Sequence, residues 1–371
     1  MGVIRQCCEH NFIYNVHHDP PPSDFYNQRD FISLRQDFLK GKKPAGCHQC
    51  WETEEQVGDS VRTCNNKKFL PFISSEYEFK ERLEKPKWLI ADISLSNICN
   101  LKCRMCGTWG SERWVEDEKN LGQLKANYGK ETRAEYLRLT KNNFNDFKFL
   151  LPGLKNIKFI FFKGGEPFLD PNHIEFLKYL IKNNLNNNLS LDYTTNGTVI
   201  NDEILGLLHR FKFVNITVSV EGLGNLYKYI RGGEFSFEKD VVKNIKKFSL
   251  LPNAKIRFNS VIQAYNIFKL ADLYKYLNNL KIERVTANGA FGSIIIRPPY
   301  LSPFILPFEL RKQASERLNG IKEFSLLRKN LVCNKKYSKY FATFKNFTND
   351  LDKIRNENVL DVIPELKKYW L

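Results

Sequence analysis

The chain has 371 residues, 42% of them apolar and 13% aromatic, enough for one large core and a smaller module. Charged residues make up 26%, which excludes wholesale disorder, and no stretch approaches the apolar length of a membrane span. Lys and Arg outnumber Asp and Glu by 57 to 41, but this net +16 is spread through segments such as NNLNNNL and FKNFTND rather than gathered into a block, so a nucleic-acid partner is not favoured.

In chain order, the opening MGVIRQCCEH has no apolar signal run, and Gln6 breaks the myristoylation pattern, so a cytoplasmic location without a membrane partner is expected. Residues 1–85 read as an irregular, turn-rich module with HHDPPPSD, a helix at FISLRQDFLKG and a PAGCHQC knuckle. From residue 86 the texture changes to apolar strand-like runs alternating with amphipathic helical ones. The strands are expected at WLIADISLS, IKFIFF, LSLDYT, FVNITVSV, KIRFNSVI and IERVTA. Between them lie the helical runs HIEFLKYLIKNN, DEILGLLHRF, FEKDVVKNIKKFSLL and ADLYKYLNNL, and a helix starting near SERWVEDEKN. Six βα units argue for a parallel sheet wrapped by helices, short of the eight that close a barrel. The expected fold is therefore α/β, a partial (βα)6 barrel over 86–290, with its chemistry at the C-terminal strand ends. Residues 291–371 form a mostly helical extension after the Pro-broken PPYLSPFILPF.

Nine cysteines stand at 7, 8, 47, 50, 64, 99, 103, 106 and 333. A chain with this much core has no need of disulfide staples, so close-spaced cysteines point to metal binding or catalysis. SNICNLKCRMCG places Cys99, Cys103 and Cys106 directly after the first strand. Three thiolates on one tight loop can hold three irons of a [4Fe–4S] cube and leave the fourth iron open. The alternative from the residues alone is a zinc loop with a distant fourth ligand. Cys333, alone in a helical region, reads as a buried apolar residue.

Other motifs follow the triplet in order. The second strand ends in FFKGGEPFLD, the third in TTNGT and the fourth in SVEG, with YIRGG one helical stretch later. Together they resemble the radical S-adenosylmethionine (SAM) superfamily over about residues 88–290. The resemblance implies that SAM chelates the open iron. An electron from the cluster then cleaves SAM reductively, and the 5′-deoxyadenosyl radical abstracts hydrogen from a substrate. It further implies that Gly164, Gly165 and Glu166 meet the methionyl ammonium, with Pro167 setting the turn. Thr195 and Asn196 would line the site, and Ser219 and Arg231 would bind the methionyl carboxylate, for which a guanidinium fork is suited. Glu221 stands where relatives carry Asp, and Met105 where they often carry an aromatic residue. Asn259 and Gln263 on the fifth strand are further candidates, with buried structural amides as their alternative. No general acid or base is named by the sequence. An external electron donor such as flavodoxin or ferredoxin is implied, with a peptide, a protein side chain or a small molecule as substrate.

The amino-terminal module resembles the SPASM or twitch type, in which an LR-containing helix and a GxxP turn precede CxxC, here Cys47 and Cys50. Cys7-Cys8 resembles the CC of such modules, whose further upstream Cys this sequence does not contain. Either the start is truncated or another residue completes the site, with Cys64 and His18 as candidates. Cys7 or Cys8 with Cys47, Cys50 and Cys64 would give four thiolate ligands for a second iron–sulfur cluster. A structural zinc knuckle fits the same residues. The alternative for the whole chain is a zinc-binding basic adaptor for nucleic acid or protein, which leaves GGEP and the βα alternation unexplained.

Overall fold

The computed structural model describes residues 3–4, 14–15, 29–72, 89–122, 154, 156–285, 292–295, 297–333 and 338–370. Cys7, Cys8, His18 and the charged, aromatic insertion after the helix at SERWVEDEKN lie outside the described residues. The chain divides into two compact units, one of residues 1–92 and 142–158, the other of residues 93–141 and 159–371. Among the described residues no helix is long and apolar enough to cross a membrane.

Among its described residues the first unit contains a two-residue antiparallel ladder, Val3–Ile4 with Tyr14–Asn15, and the helices α1 (Arg29–Leu39), α2 (His48–Val57) and α3 (Val61–Phe69). A capping box starts α3, in which the Ser60 side chain accepts from the Thr63 amide while Thr63 accepts from the Ser60 amide. Arg62 then bridges back to α2, with Nη2 2.6 Å from a Glu54 oxygen and its guanidinium 4.1 Å from the Trp51 ring centroid. The expected helix at FISLRQDFLKG is α1.

A six-stranded sheet runs in sequence order: β1 (Ile90–Ser94), β2 (Phe159–Lys163), β3 (Ser190–Thr195), β4 (Phe213–Ser219), β5 (Ala254–Ile262) and β6 (Gly292–Ile294). The pairings from β2 to β6 are parallel. The strands form the partial barrel expected from the βα alternation. Strands of such a sheet are covered on both faces, which accounts for the nearly continuous apolar run FIFF of β2. Ile160, Leu191, Val214, Ile216, Val218 and Ile256 are all fully buried.

Helices α4 (Trp114–Gly122), α5 (Pro171–Lys182), α6 (Asp202–Leu208), α7 (Gly224–Arg231), α8 (Val242–Phe248) and α9 (Leu270–Asn279) follow or connect the strands. Their ends are written in local chemistry. Asp170 caps α5 through the Asn172 amide with Pro171 in the first turn, and Asn201 caps α6 through the Ile204 amide. Gly232 ends α7 in the left-handed conformation at φ 64°.

Two expectations are corrected. Of IERVTA, Val285 makes one parallel bridge to Ile256 while Thr286 and Ala287 lie outside the described residues, and the sixth strand among the described residues is Gly292–Ile294. Arg284 adopts φ 61° and the Val285 amide turns back onto the Ile282 carbonyl, which breaks the extended run. A Cβ at Gly292 would lie 2.5 Å from the Ser260 carbonyl oxygen, so the close pairing of β6 depends on a residue with no strand signal of its own. Cys333 is exposed rather than buried, because it is the last residue of helix α11.

The extension carries α10 (Phe308–Arg317), α11 (Ser325–Cys333), α12 (Phe341–Arg355) and α13 (Val359–Val362). It belongs to the same compact unit as strands β2 to β6. The Arg311 guanidinium, buried, donates to the Leu306 and Leu331 carbonyls and so ties α10 to the end of α11. On α12, Phe344 packs on Tyr265 with ring centroids 5.1 Å apart, and Thr348 shares a 2.8 Å hydrogen bond with the Tyr265 hydroxyl.

Candidate active site

The candidate residues gather at the C-terminal ends of the strands. The cysteine loop follows β1, Gly164 and Gly165 follow β2, Asn196 follows β3, Ser219 and Glu221 lie at and beyond the end of β4, and Gln263 follows β5. Parallel strands start and finish in step, so motifs far apart in sequence meet on one rim.

Close backbone approach joins the cysteine loop to the GGEP turn. The Gly165 amide donates to the Ser96 carbonyl at 3.0 Å and the Glu166 amide to the Ile98 carbonyl at 2.7 Å. A Cβ on Gly165 would stand 2.1 Å from the Ile98 oxygen, so only glycine fits. Gly164 sits at φ 119°, outside the range that other residues adopt readily.

The buried Glu166 carboxylate receives the Thr195 hydroxyl at 2.6 Å, the Asn196 amide at 2.7 Å and the Phe168 amide at 3.3 Å. In this structure it therefore ties the GGEP turn to the TNG turn. Burial pushes its pKa up to about 7 against the pull of those three hydrogen bonds. The Asn196 side-chain amide reaches the Asn100 oxygen at 2.9 Å and the Cys99 sulfur at 3.9 Å. Thr198 accepts from Asn100 at 2.8 Å, so the TNG turn and the cysteine loop share a small amide network.

On the other side Arg231, at the end of α7, enters the rim. Its Nη1 lies 3.1 Å from Glu221 and its Nη2 donates to the Ser219 carbonyl at 3.3 Å. Ser219 thus meets Arg231 through its backbone. Glu221 also accepts from the Val261 amide at 3.3 Å, which links β4 to β5. Arg231 Nε and Gln263 Oε1 are buried without a protein hydrogen-bond partner. Such atoms cost about 1–3 kcal/mol each when left alone. A bound carboxylate would satisfy the first and a bound hydroxyl or amine the second. Asn259 lies within β5, where its carbonyl accepts from the Val220 amide at 2.9 Å.

The three thiols share this environment. Burial pushes Cys99 up to about 12, and Cys103 and Cys106 also rise, with neighbouring thiols of the triplet adding to the effect at Cys99 and Cys106 and Arg231 opposing it at all three. Gly110 backs onto Cys106, where a Cβ would come within 2.8 Å of the sulfur. Among the described residues no three His, Cys, Asp or Glu side chains converge on one point as ligands of a single metal ion. A cubane asks for something different, because each thiolate meets its own iron. Three soft donors on one loop, a glycine cradle beside them and an orphaned guanidinium nitrogen nearby suit a cluster with a bound amino-acid ligand.

In the first unit Cys47 is the N-cap of α2, Cys50 is buried in its first turn, and Cys64 is exposed on α3 beside Asp59. Asn100, Arg104 and Trp114, which carry no motif signal in the sequence, also bond to the cysteine loop or to the segments beside it. Asn100 and Arg104 are two of the three polar residues inside the cysteine spacing itself, Lys102 being the third.

No curated protein matches the sequence. Streptococcus suis SuiB bound to S-adenosylmethionine is similar at 18% identity and TM-score 0.39, over 71% of this chain and 54% of that one. The anSMEcpe protein with bound AdoMet and Cp18Cys peptide is similar at 18% identity and TM-score 0.40, over 63% of this chain and 59% of that one. The chain thus spans little more than half the length of either. The family described as the Radical SAM superfamily matches residues 93–257, which run from the end of β1 into β5 and hold all three cysteines, the GGEP turn, the TNG turn and Arg231. Over these residues the chain is similar to that family.

Proposed function

We propose that the chain is a radical SAM enzyme that reductively cleaves S-adenosylmethionine and uses the resulting radical to take hydrogen from a substrate. The observation that carries this reading is the meeting of CxxxCxxC and GGEP on one rim, locked by the Gly165–Ser96 and Glu166–Ile98 backbone hydrogen bonds. Cys99, Cys103 and Cys106 would hold a [4Fe–4S] cluster. When bound, that cluster supplies the electron for cleavage and an iron free to bind the methionyl group. Its positive charge also offsets the burial that otherwise keeps the three thiols protonated.

The chain's own residues bind and orient. Arg231 offers Nε, still unpartnered, to the methionyl carboxylate and is held in place by Glu221 and the Ser219 carbonyl. Gly164, Gly165 and Pro167 bring the GGEP backbone close to the ligand, and Glu166 fixes that turn against Thr195 and Asn196. The buried rim keeps water away from a reactive intermediate. A flavodoxin or ferredoxin would deliver the electron, and peptides or protein side chains are the first substrates to screen, ahead of small molecules. Cys47 and Cys50, with Cys8 and Cys64, are proposed as ligands of a second iron–sulfur cluster.

The test is anaerobic reconstitution with iron and sulfide, followed by SAM and dithionite, beside a Cys99→Ala, Cys103→Ala, Cys106→Ala triple variant. Deoxyadenosine from the wild type alone is expected, and iron left in the triple variant counts the second cluster. A colourless, zinc-loaded wild type that makes no deoxyadenosine replaces this reading with the zinc adaptor.

A further inference from the structure

The cysteine loop has an outer face as well as an inner one, and the outer face is built around charge. Arg104 lies between Cys103 and Cys106, yet its side chain is fully buried. Its Nε donates to the Tyr229 carbonyl at 2.9 Å, and its Nη2 pairs with both Asp352 on α12 and Glu357 just beyond it. The guanidinium stacks 3.5 Å from the Tyr229 ring centroid, and the Tyr229 hydroxyl donates to Asp352 at 2.8 Å. The second Asp352 oxygen takes the Val359 amide at 2.7 Å.

A parallel arrangement lies one turn of loop away. Arg355, the last residue of α12, donates to the Lys102 carbonyl at 2.8 Å and to Asp117 on α4 at 2.9 Å. It also covers the Trp114 ring, whose Nε1 donates to the Cys103 carbonyl at 2.9 Å. Lys102 Nζ completes the group at 3.4 Å from Asp117. Three cations, Lys102, Arg104 and Arg355, therefore meet three carboxylates, Asp117, Asp352 and Glu357.

Charges are not taken out of water without compensation, and a buried ion set is poor evidence of stability alone. Its better-attested use is to hold one arrangement against others. Here every strand of the network ends on the segment Lys102–Cys106 or on a residue bonded to it.

We infer that Arg104 and Arg355 are positioning residues through which the carboxyl-terminal extension fixes the cysteine loop, so that α12 is part of the iron–sulfur site rather than a separate lid. The inference rests on the proposed radical SAM reading for its consequence, retention of the cluster, but not for the brace itself. Supporting partners of metal ligands typically matter by about 10–100-fold in affinity.

The experiment uses the full chain and three variants: Glu357→Gln, which removes the more exposed carboxylate, and Arg104→Lys and Arg355→Lys, which keep the charge but lose the fork. On the folded apoprotein, alkylation of each cysteine by iodoacetamide is followed by mass spectrometry. Cys103 and Cys106 are expected to react at least about tenfold faster in Arg104→Lys than in wild type, with Cys50 unchanged as the internal reference. After reconstitution, the same variant is expected to lose iron to a chelator about tenfold faster and to show an altered electron paramagnetic resonance signal of the reduced cluster.

Wild-type alkylation rates and an unchanged cluster signal in all three variants overturn the proposal. Equal acceleration at Cys50 also overturns it, because the effect is then general loosening. A wild-type chain that takes up no iron refutes the functional reading instead, and the alkylation arm still decides the brace.

Discussion

Substituting Gly165 by alanine isolates the contact on which the site depends. The added carbon would sit 2.1 Å from the Ile98 oxygen, 2.7 Å from the Ile98 carbonyl carbon and 2.8 Å from the Asn97 carbonyl carbon, all backbone atoms. Ordinary contact begins at 3.4 Å, so the turn must retreat from the loop by 1.3 Å, the difference between 3.4 and 2.1 Å. That retreat breaks the 3.0 and 2.7 Å hydrogen bonds from the Gly165 and Glu166 amides. Overpacking costs about 1–3 kcal/mol and two lost hydrogen bonds about 1 kcal/mol each, so the total is about 3–5 kcal/mol. Against a domain stability of about 5–15 kcal/mol the protein still folds, but with Cys99 displaced.

The control is Gly206→Ala in the exposed middle of α6, where nothing lies within 4 Å of the new carbon. The same methyl there stabilises the helix by up to about 1 kcal/mol. Urea unfolding of the two apoproteins gives the signs, and iron content after reconstitution gives the consequence. If Gly165→Ala unfolds within about 0.5 kcal/mol of wild type and takes up full iron, the steric reasoning is wrong.

Further outcomes follow from the buried charges. The Glu166 pKa lies above its ordinary 4.5, at about 7, so between these values the unfolded chain gives up a proton that the folded one keeps. Apoprotein stability should fall as pH rises from 4.5 to 7, by about 3 kcal/mol, and Glu166→Gln should flatten that slope in pH-dependent urea titrations. His173 has the opposite sign: burial lowers it from 6.5 to about 3, so its contribution is complete above 6.5 and is lost on acidification through that window. His173→Gln should remove the acid-side loss in the same titrations. Glu221→Leu strands Arg231 in the interior and should cost about 3–5 kcal/mol, whereas Glu221→Leu with Arg231→Met should cost much less, as a double-mutant cycle would read. Under brief alkylation of the folded protein, exposed Cys333 should be labelled before buried Cys50.

Much of this molecule is legible in its sequence because the signals are local. Strands β1 to β5 are announced by apolar runs separated by amphipathic helices, and the rim motifs each occupy a few consecutive residues beside a strand end. The sixth strand is different. Gly292–Ile294 is three residues long and begins with a residue disfavoured in strands, while the more strand-like sequence IERVTA holds Arg284 in a left-handed conformation just before Val285. Periodicity cannot see a backbone torsion. Cys333 misleads for a related reason, since a helical pattern says little about which way its last residue faces. The Arg104 network is invisible for want of any pattern: a single arginine in a loop, answered by carboxylates 248 and 253 positions later, has no period and no spacing to detect.

That separation has a consequence for the order of events during synthesis. A nascent chain that has reached residue 290 already carries the three cysteines and every motif of the rim, but lacks β6 and the whole extension, including the partners on α12 and after it. The thiols are present early, but the ion pairs that seat Arg104 and Arg355 form only when residues 352–357 have emerged. Iron delivered during translation therefore meets a loop still lacking its outer support, and iron delivered after chain release meets a finished one.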